Sequence, residues 1–184
     1  MKKIIIDKDI FDDYAEKILA DIKALEYHSA FELIIDSNGG DIMAGLRIFN
    51  ELQKHTNYRT IVENKALSTA SWLALATNHR YIAPNSFIMV HGLETITVGD
   101  IKEHENSIEL LNACRATIQN ILKDNYKGDH TKLNDKEHWF TSEQAIQLFG
   151  FMPLSSINSN DNNVSVVNKK NTDNLFNLKK IFIK

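Results

Sequence analysis

Three segments that follow predicted strands carry the residue types that nucleophilic catalysis needs. Gly39 and Gly40 come after a buried apolar run, Ser68 lies between a strand and an Ala-rich helix, and His91 ends another apolar run. In sheets with parallel strands, ligands gather beyond the carboxyl ends of the strands. The pattern therefore predicts one site that combines a hydroxyl, an imidazole and backbone N–H groups.

Each of these segments also has an ordinary structural explanation. Paired glycines can form a tight turn or leave N–H groups facing a developing negative charge. Ser68 can cap a helix or serve as a nucleophile, and the hydroxyls of Thr69 and Ser71 lie nearby. His91 can be a structural histidine or the base that a serine requires, because a serine hydroxyl is a weak nucleophile unaided. Local sequence leaves these alternatives open.

Strand and helix patterns alternate along the chain and predict an α/β layered fold with parallel strands. The predicted strands are Lys3–Asp7, Phe31–Asp36, Arg59–Val62, Tyr81–Ala83 and Ser86–His91. Predicted helices begin at Asp9, begin again at Ile42, and cover Thr69–Thr77, Gly99 to about Tyr126, and Ser142–Phe149.

Composition excludes several classes of function. Of the 184 residues, 43% are hydrophobic and 24% charged, with a net charge of −3. A weakly acidic chain has no basic field for nucleic acid or an anionic membrane, so neither is expected as a partner. The single Cys114 cannot form an internal disulfide. That thiol, the absence of a membrane-length apolar run and the acidic residues after MKKIII predict a cytoplasmic protein. The seven histidines lack ligand-like spacing, so no metal or other cofactor is expected.

Composition changes after Pro153. Seven of the 17 residues from Asn158 to Asn174 are Asn and none is aromatic. Such a stretch buries too little apolar area to offset its ordering entropy. The predicted organisation is a domain over residues 1–154 and a flexible Asn-rich tail over residues 155–184. The apolar end of the tail, Leu175–Lys184, could dock on a partner, add an edge strand or pack on its own domain.

The order and spacing of three motifs resemble the proteolytic subunit of the Clp protease (ClpP) and its phage-type head-maturation relatives. The resemblance runs from about Lys3 to Met152. The motifs are Ser37-Asn38-Gly39-Gly40, Ala66-Leu67-Ser68 and Pro84-Asn85-Ser86-Phe87-Ile88-Met89-Val90-His91. The third motif, with its Pro-Asn-Ser lead and terminal histidine, is the most specific of them.

The resemblance implies a ClpP/crotonase-like fold and a serine endopeptidase working through an acyl-enzyme. Ser68 would be the nucleophile and His91 its general base. Gly39 and Thr69 would supply the N–H groups of the oxyanion hole. The family places an Asp two residues before an aromatic, a position that Glu137 holds here; Asp135 has the family's residue type at a different spacing. Spacing favours Glu137 as the third member, with Asp135 as the alternative acid.

The resemblance also implies a self-compartmentalised, ring-type homo-oligomer acting on peptides or unfolded proteins. Thr95–Val98 and the helix from Gly99 match the position of the family's handle, a strand and a long helix that project from the head and mediate contact between rings. The sequence opens on the first core strand, where the family has a segment that helps engage an ATPase ring. We therefore expect activity that does not depend on an ATPase partner.

Three departures from the housekeeping pattern separate this chain from it. Asn38 stands where Pro is usual, Ala70 stands where Gly is usual and is closer to phage-type relatives, and Glu137 replaces Asp.

Two other hypotheses for the function are a crotonase-like acyl-CoA enzyme, which shares the fold and a two-amide oxyanion hole, and a catalytically inactive structural homologue.

Overall fold

The computed structural model of the chain describes residues 1–157. The predictions for the tail beyond Ile157 fall outside these residues. The strands are β1 Lys2–Ile6, β2 Phe31–Ser37, β3 Tyr58–Leu67, β4 Arg80–Ile82, β5 Phe87–Val90, β6 His138–Thr141 and β7 Met152–Pro153. The helices are α1 Asp12–Lys23, α2 Ile42–Leu52, α3 Thr69–Ala74, α4 Ile101–Asn125 and α5 Ser142–Phe149, with 3-10 turns at His130–Asn134 and Leu154–Ser156.

The predicted α/β fold with parallel strands is confirmed. Strands β1, β2, β3, β4 and β7 lie side by side in that order, and every pairing among them is parallel. The long strand β3 divides its pairing, because Thr60–Val62 pair with β4 whereas Lys65–Leu67 pair with β5. The division places the carboxyl ends of β3 and β5 together, and Ser68 and His91 follow these two ends directly.

Alternation along the strands determines which side of the sheet packs against helices. In β1, Ile4 and Ile6 are buried whereas Lys3 and Ile5 are exposed. Helices α1 and α2 pack against the buried side, where Ile18 and Ile48 join the main apolar core. On the other face, a smaller cluster contains Ile34, Ile61 and Tyr81, with Met152, Leu154 and Ile157 packed against it.

Helix α4 is the longest element and lies mostly in solvent. Its 25 residues span ~38 Å, and its buried side chains are Cys114, Ile118 and Leu122. A capping box at Asp100 and Glu103 starts the helix. The predicted helix from Gly99 is confirmed, but the predicted strand Thr95–Val98 is wrong: the chain there is irregular, and Ile96 and Val98 are more than 90% exposed. No neighbouring strand within residues 1–157 pairs with it.

Other differences from the predicted elements lie at their ends. Strand β3 continues five residues past Val62, since pairing with β5 extends it, and helix α3 ends at Ala74 instead of Thr77. Strands β6 and β7 are also absent from the predicted elements. Within residues 1–157, no helix combines the length and the apolar character that crossing a membrane requires.

His55 follows α2 and is a titratable group inside the packed region. Only 1% of its surface is exposed, and its ring meets the rings of Tyr27 and Phe31 edge-on, with centroids 5.3 and 5.4 Å away. Burial disfavours the imidazolium and lowers the pKa of His55 below its usual value, although the nearby Glu51 carboxylate acts in the opposite direction.

This lowered pKa predicts a stability that falls on acidification. In the unfolded chain His55 binds a proton at about pH 6.5, whereas in the folded chain it binds that proton only at a lower pH. The free energy of unfolding therefore decreases as the pH falls below that value. Urea unfolding between about pH 7.5 and pH 5 should show a smaller decrease in His55→Leu than in the wild type. The exposed His28 provides the control, and a His28→Gln variant with the smaller decrease would contradict the assignment.

Candidate active site

Ser68 stands on a sharp turn between β3 and α3. Its φ of 52° and ψ of −123° lie outside the regions that residues with a Cβ normally adopt. Its N–H donates to the Met89 carbonyl oxygen at 2.8 Å, which fixes the turn to β5. The side chain makes no capping hydrogen bond. A strained serine between a strand and a helix, with an unused cap function, is the geometry of a nucleophile elbow.

The two neighbouring hydroxyls are committed to backbone acceptors. Thr69 Oγ1 donates to the Gly40 carbonyl at 2.8 Å, and Ser71 Oγ donates to the Ser68 carbonyl at 2.5 Å. Ser71 is also completely buried. Of the three hydroxyls that the sequence left open, the one that faces His91 is therefore that of Ser68.

His91 directly follows the last residue of β5, and its Nε2 lies 2.8 Å from Ser68 Oγ. Backbone pairing explains this approach, because Leu67 and Met89 are partners in the β3–β5 ladder and Ser68 and His91 lie one and two residues beyond them. A neutral imidazole at this distance can accept the hydroxyl proton as the oxygen attacks.

Gly39 and Gly40 bring the end of β2 against the Ser68 turn. Gly39 has a φ of +90°, and a Cβ added there would lie 2.8 Å from the Thr69 nitrogen, so no larger residue fits this close approach. Gly39 does not present its N–H to the site, because that group donates to Ser37 Oγ at 3.1 Å. The N–H of Gly39, expected to stabilise an oxyanion, is therefore already used in this hydrogen bond.

Gly40 has the properties expected of Gly39. It lines the cavity beside Ser68 and Thr69, and no hydrogen bond within residues 1–157 uses its N–H. Thr69 is the first residue of α3, where the N–H has no partner inside the helix. The sequence identified the glycine pair, but which of the two N–H groups is occupied depends on the Ser37 side chain.

Neither of the predicted acids is hydrogen-bonded to His91. Glu137 Oε2 accepts the indole N–H of Trp139 at 3.0 Å. Asp135 Oδ1 lies 2.8 Å from His138 Nε2, and this hydrogen bond lowers the pKa of Asp135. Both carboxylates are therefore engaged with other side chains, Glu137 by one of its two oxygens.

The register of β5 and β6 points Glu137 toward the position of His91, although the ladder itself ends at Val90 and His138. Strands β5 and β6 are antiparallel with Val90 opposite His138, so the next pair in this register is His91 and Glu137. Directly opposite residues have Cβ atoms about 4.5–5.5 Å apart on one face. A Cβ added to Gly92 would lie 2.5 Å from the Asn134 carbonyl oxygen, which shows that the two segments stay close beyond the strands.

The structure adds a carboxylate that the sequence analysis did not single out. Glu94 Oε1 lies 4.0 Å from Nδ1 of His91, and the Glu94 side chain is 86% exposed. In the sequence, Glu94 could have been noticed because it lies three residues after a strand-end histidine. A distance of 4.0 Å is within the range of an ion pair and is too long for a hydrogen bond.

A cavity of about 190 Å³ lies beside the serine. It is lined by Ser68, Thr69, His91, Glu94 and apolar side chains. Within residues 1–157, no group of three or more His, Cys, Asp or Glu side chains is arranged to hold a metal ion. The site's own side chains and backbone N–H groups can perform nucleophilic attack, proton transfer and anion stabilisation.

Comparison with known proteins gives the same family as the motifs. Residues 1–152 match the family described as Clp protease. The chain is 30% identical over 152 residues to the ATP-dependent Clp protease proteolytic subunit of Ligilactobacillus salivarius, covering 78% of this chain and 77% of that protein. It is 25% identical over 162 residues to proteolytic subunit 2 of Cutibacterium acnes, covering 78% of this chain and 72% of that protein. Together with the Ser68 elbow and its partner His91, these matches show that the chain belongs to the Clp protease family.

Proposed function

We propose that the chain is a serine endopeptidase in which Ser68 attacks the peptide carbonyl and His91 accepts its proton. The observation that carries the proposal is the 2.8 Å approach of His91 Nε2 to the hydroxyl of a strained, uncapped serine. Attack gives a tetrahedral intermediate, which collapses to an acyl-enzyme as His91 returns the proton to the leaving amine. Water then releases the acyl group by the same route in reverse.

The oxyanion of the intermediate would be stabilised by the N–H groups of Gly40 and Thr69. Both residues line the cavity beside Ser68, and the N–H of Gly39 is already bonded to Ser37. Gly39 then contributes the close approach of its backbone to Thr69 instead of a hydrogen bond. One oxyanion donor typically contributes about 2.7–4 kcal/mol to the transition state.

We assign the orienting acid to Glu137. Continuing the β5–β6 register by one pair beyond Val90 and His138 would set Glu137 opposite His91. The indole N–H of Trp139 occupies only Oε2 of Glu137, which leaves Oε1 for the imidazole. Asp135 is bound to His138 instead. An orienting carboxylate holds the Nδ1–H tautomer that leaves Nε2 able to accept a proton.

The substrate class is peptides or unfolded protein segments, handled by an oligomer of this chain. Apolar side chains are exposed along the irregular segment before α4 and on α4 itself: Ile96, Val98, Ile101, Ile108 and Leu110. Several large apolar side chains left exposed in one region of the chain are typical of an interaction surface. The family's handle at this position supports contact between copies, and the likeness to phage-type members stays a prediction.

A fluorophosphonate probe tests the nucleophile. Labelling should be lost in Ser68→Ala, and peptide hydrolysis should fall on the order of 10⁴–10⁶-fold, because removal of a triad member removes the coupled attack. Ser71→Ala is the matched control, since its buried hydroxyl is bound to the Ser68 carbonyl and the Ser71 N–H still donates to that carbonyl in the variant. Labelling that depends on Ser71 instead would overturn the assignment. Binding of acyl-CoA without labelling would favour a crotonase-like enzyme. The absence of both labelling and acyl-CoA binding would favour a catalytically inactive structural homologue.

The acid is tested by comparing two isosteric variants. Glu137→Gln should lower kcat by about 10³–10⁴-fold, the scale of the corresponding substitution in the well-studied serine protease triad. Asp135→Asn should stay within about tenfold of the wild type, because its carboxylate serves His138. The opposite ranking would move the acid to Asp135, and near-normal kcat in both variants would leave a Ser–His dyad.

Light scattering tests assembly at micromolar concentration. The wild type should be oligomeric, and the double variant Ile101→Glu/Ile108→Glu should dissociate, because both changes put charge on one helix face. Lys102→Glu/Glu109→Lys alters charge at neighbouring exposed positions and serves as the control. The chemistry uses no nucleotide, so short peptides should be cleaved without ATP or an unfoldase. A monomeric wild type, or cleavage that requires both additions, would contradict these expectations.

A further inference from the structure

The cavity next to Ser68 is apolar over most of its wall. Five hydrophobic side chains from α2, α3, β5, the following loop and α4 line it: Ile42, Trp72, Val90, Leu93 and Ile118. Its volume of about 190 Å³ is enough for one substantial side chain. Because Ser68 and His91 also line this cavity, a substrate side chain that fills it would be that of the residue whose carbonyl Ser68 attacks.

Glu94 adds a charge to this apolar cavity. The residue lines the cavity, yet 86% of its side chain is exposed, which places the carboxylate at the mouth. The Glu94 carboxylate lies 4.0 Å from His91 Nδ1, and no Lys or Arg side chain within residues 1–157 forms an ion pair with it. The mouth therefore carries a carboxylate without a fixed cationic partner.

An apolar wall that ends in a carboxylate fits a particular kind of side chain. Lysine and arginine bury their aliphatic stems along apolar surface while the charged group stays near water. Here the stem would lie along Trp72 and Ile118, and the cationic head would meet Glu94 at the mouth. A neutral side chain of similar length gains the apolar contact but not the charge-assisted hydrogen bond.

We propose that Glu94 is a specificity-determining residue that directs cleavage to peptide bonds following a lysine or arginine. The proposal rests on the serine-peptidase function proposed above. Glu94 is poorly suited to orient His91, because its carboxylate is 4.0 Å from Nδ1, longer than a hydrogen bond, and its side chain is largely in solvent. Glu94 would then act on the substrate, whereas the acid proposed above for orienting the base is Glu137.

The experiment uses fluorogenic peptides that are identical except for Lys, Arg, Met or Glu before the scissile bond. The wild type should cleave the Lys and Arg peptides with higher kcat/KM than the Met peptide. Glu94→Gln should lower the Lys-to-Met ratio of kcat/KM about tenfold, the scale of one charge-assisted hydrogen bond. Glu94→Lys should invert the preference toward the Glu peptide. The control Glu109→Gln changes an exposed carboxylate on α4 and should keep the wild-type ratio.

The outcomes separate this proposal from the function on which it rests. Cleavage by the wild type with a Lys-to-Met ratio that Glu94→Gln does not change overturns the specificity proposal alone. A loss in Glu94→Gln that is equal for all peptides and shifts the pH profile also overturns it, and makes Glu94 the orienting acid. A wild type that cleaves no peptide and takes up no fluorophosphonate overturns the serine-peptidase function and the specificity proposal with it.

Discussion

The site depends on one strained backbone position, the turn at Ser68. A residue with a Cβ at φ 52° and ψ −123° costs on the order of 1–3 kcal/mol, so its surroundings must hold it there. The Ser68 N–H is bound by the Met89 carbonyl of β5, and its carbonyl accepts hydrogen bonds from both the N–H and the hydroxyl of Ser71. These bonds leave the side-chain oxygen with His91 as its partner. The divided pairing of β3 is what makes β5 available for this support.

Close packing behind the turn shows why small residues surround it. The glycine turn before α2 touches the Ser68 turn through Gly39, and Thr69 Oγ1 ties α3 back to the Gly40 carbonyl. A Cβ added at Gly45 of α2 would lie 2.2 Å from Thr69 Cγ2, so α2 approaches α3 as closely as its backbone permits. The positions of the two oxyanion candidates are thus fixed by backbone contacts, which hold position better than mobile side chains would.

The sequence predicted well what strand order and local pattern control. The alternation of strand and helix patterns predicted the parallel sheet, the apolar spacing predicted each end of α4 to within two residues, and the strand-end positions of Ser68 and His91 predicted that they meet. The sequence could not choose between Gly39 and Gly40, because that choice depends on a hydrogen bond from Gly39 to the Ser37 hydroxyl. It also predicted a strand at Thr95–Val98, where β-branched residues suggested pairing and no neighbouring strand in the described part of the chain supplies it.

The acid is harder to predict than Ser68 and His91, because the argument for it depends on a strand that local pattern did not reveal. The four residues of β6 form a strand by pairing with β5, and the proposal for Glu137 continues this antiparallel register one pair beyond Val90 and His138. Sequence spacing to Trp139 pointed to the same residue, for a reason that the structure makes physical: residues two apart in an extended segment share a face, so the indole N–H can reach the Glu137 carboxylate. Asp135 shares that parity but lies after a 3-10 turn and is bound to His138. Backbone register is therefore the argument for Glu137, whereas carboxylate type alone would favour Asp135.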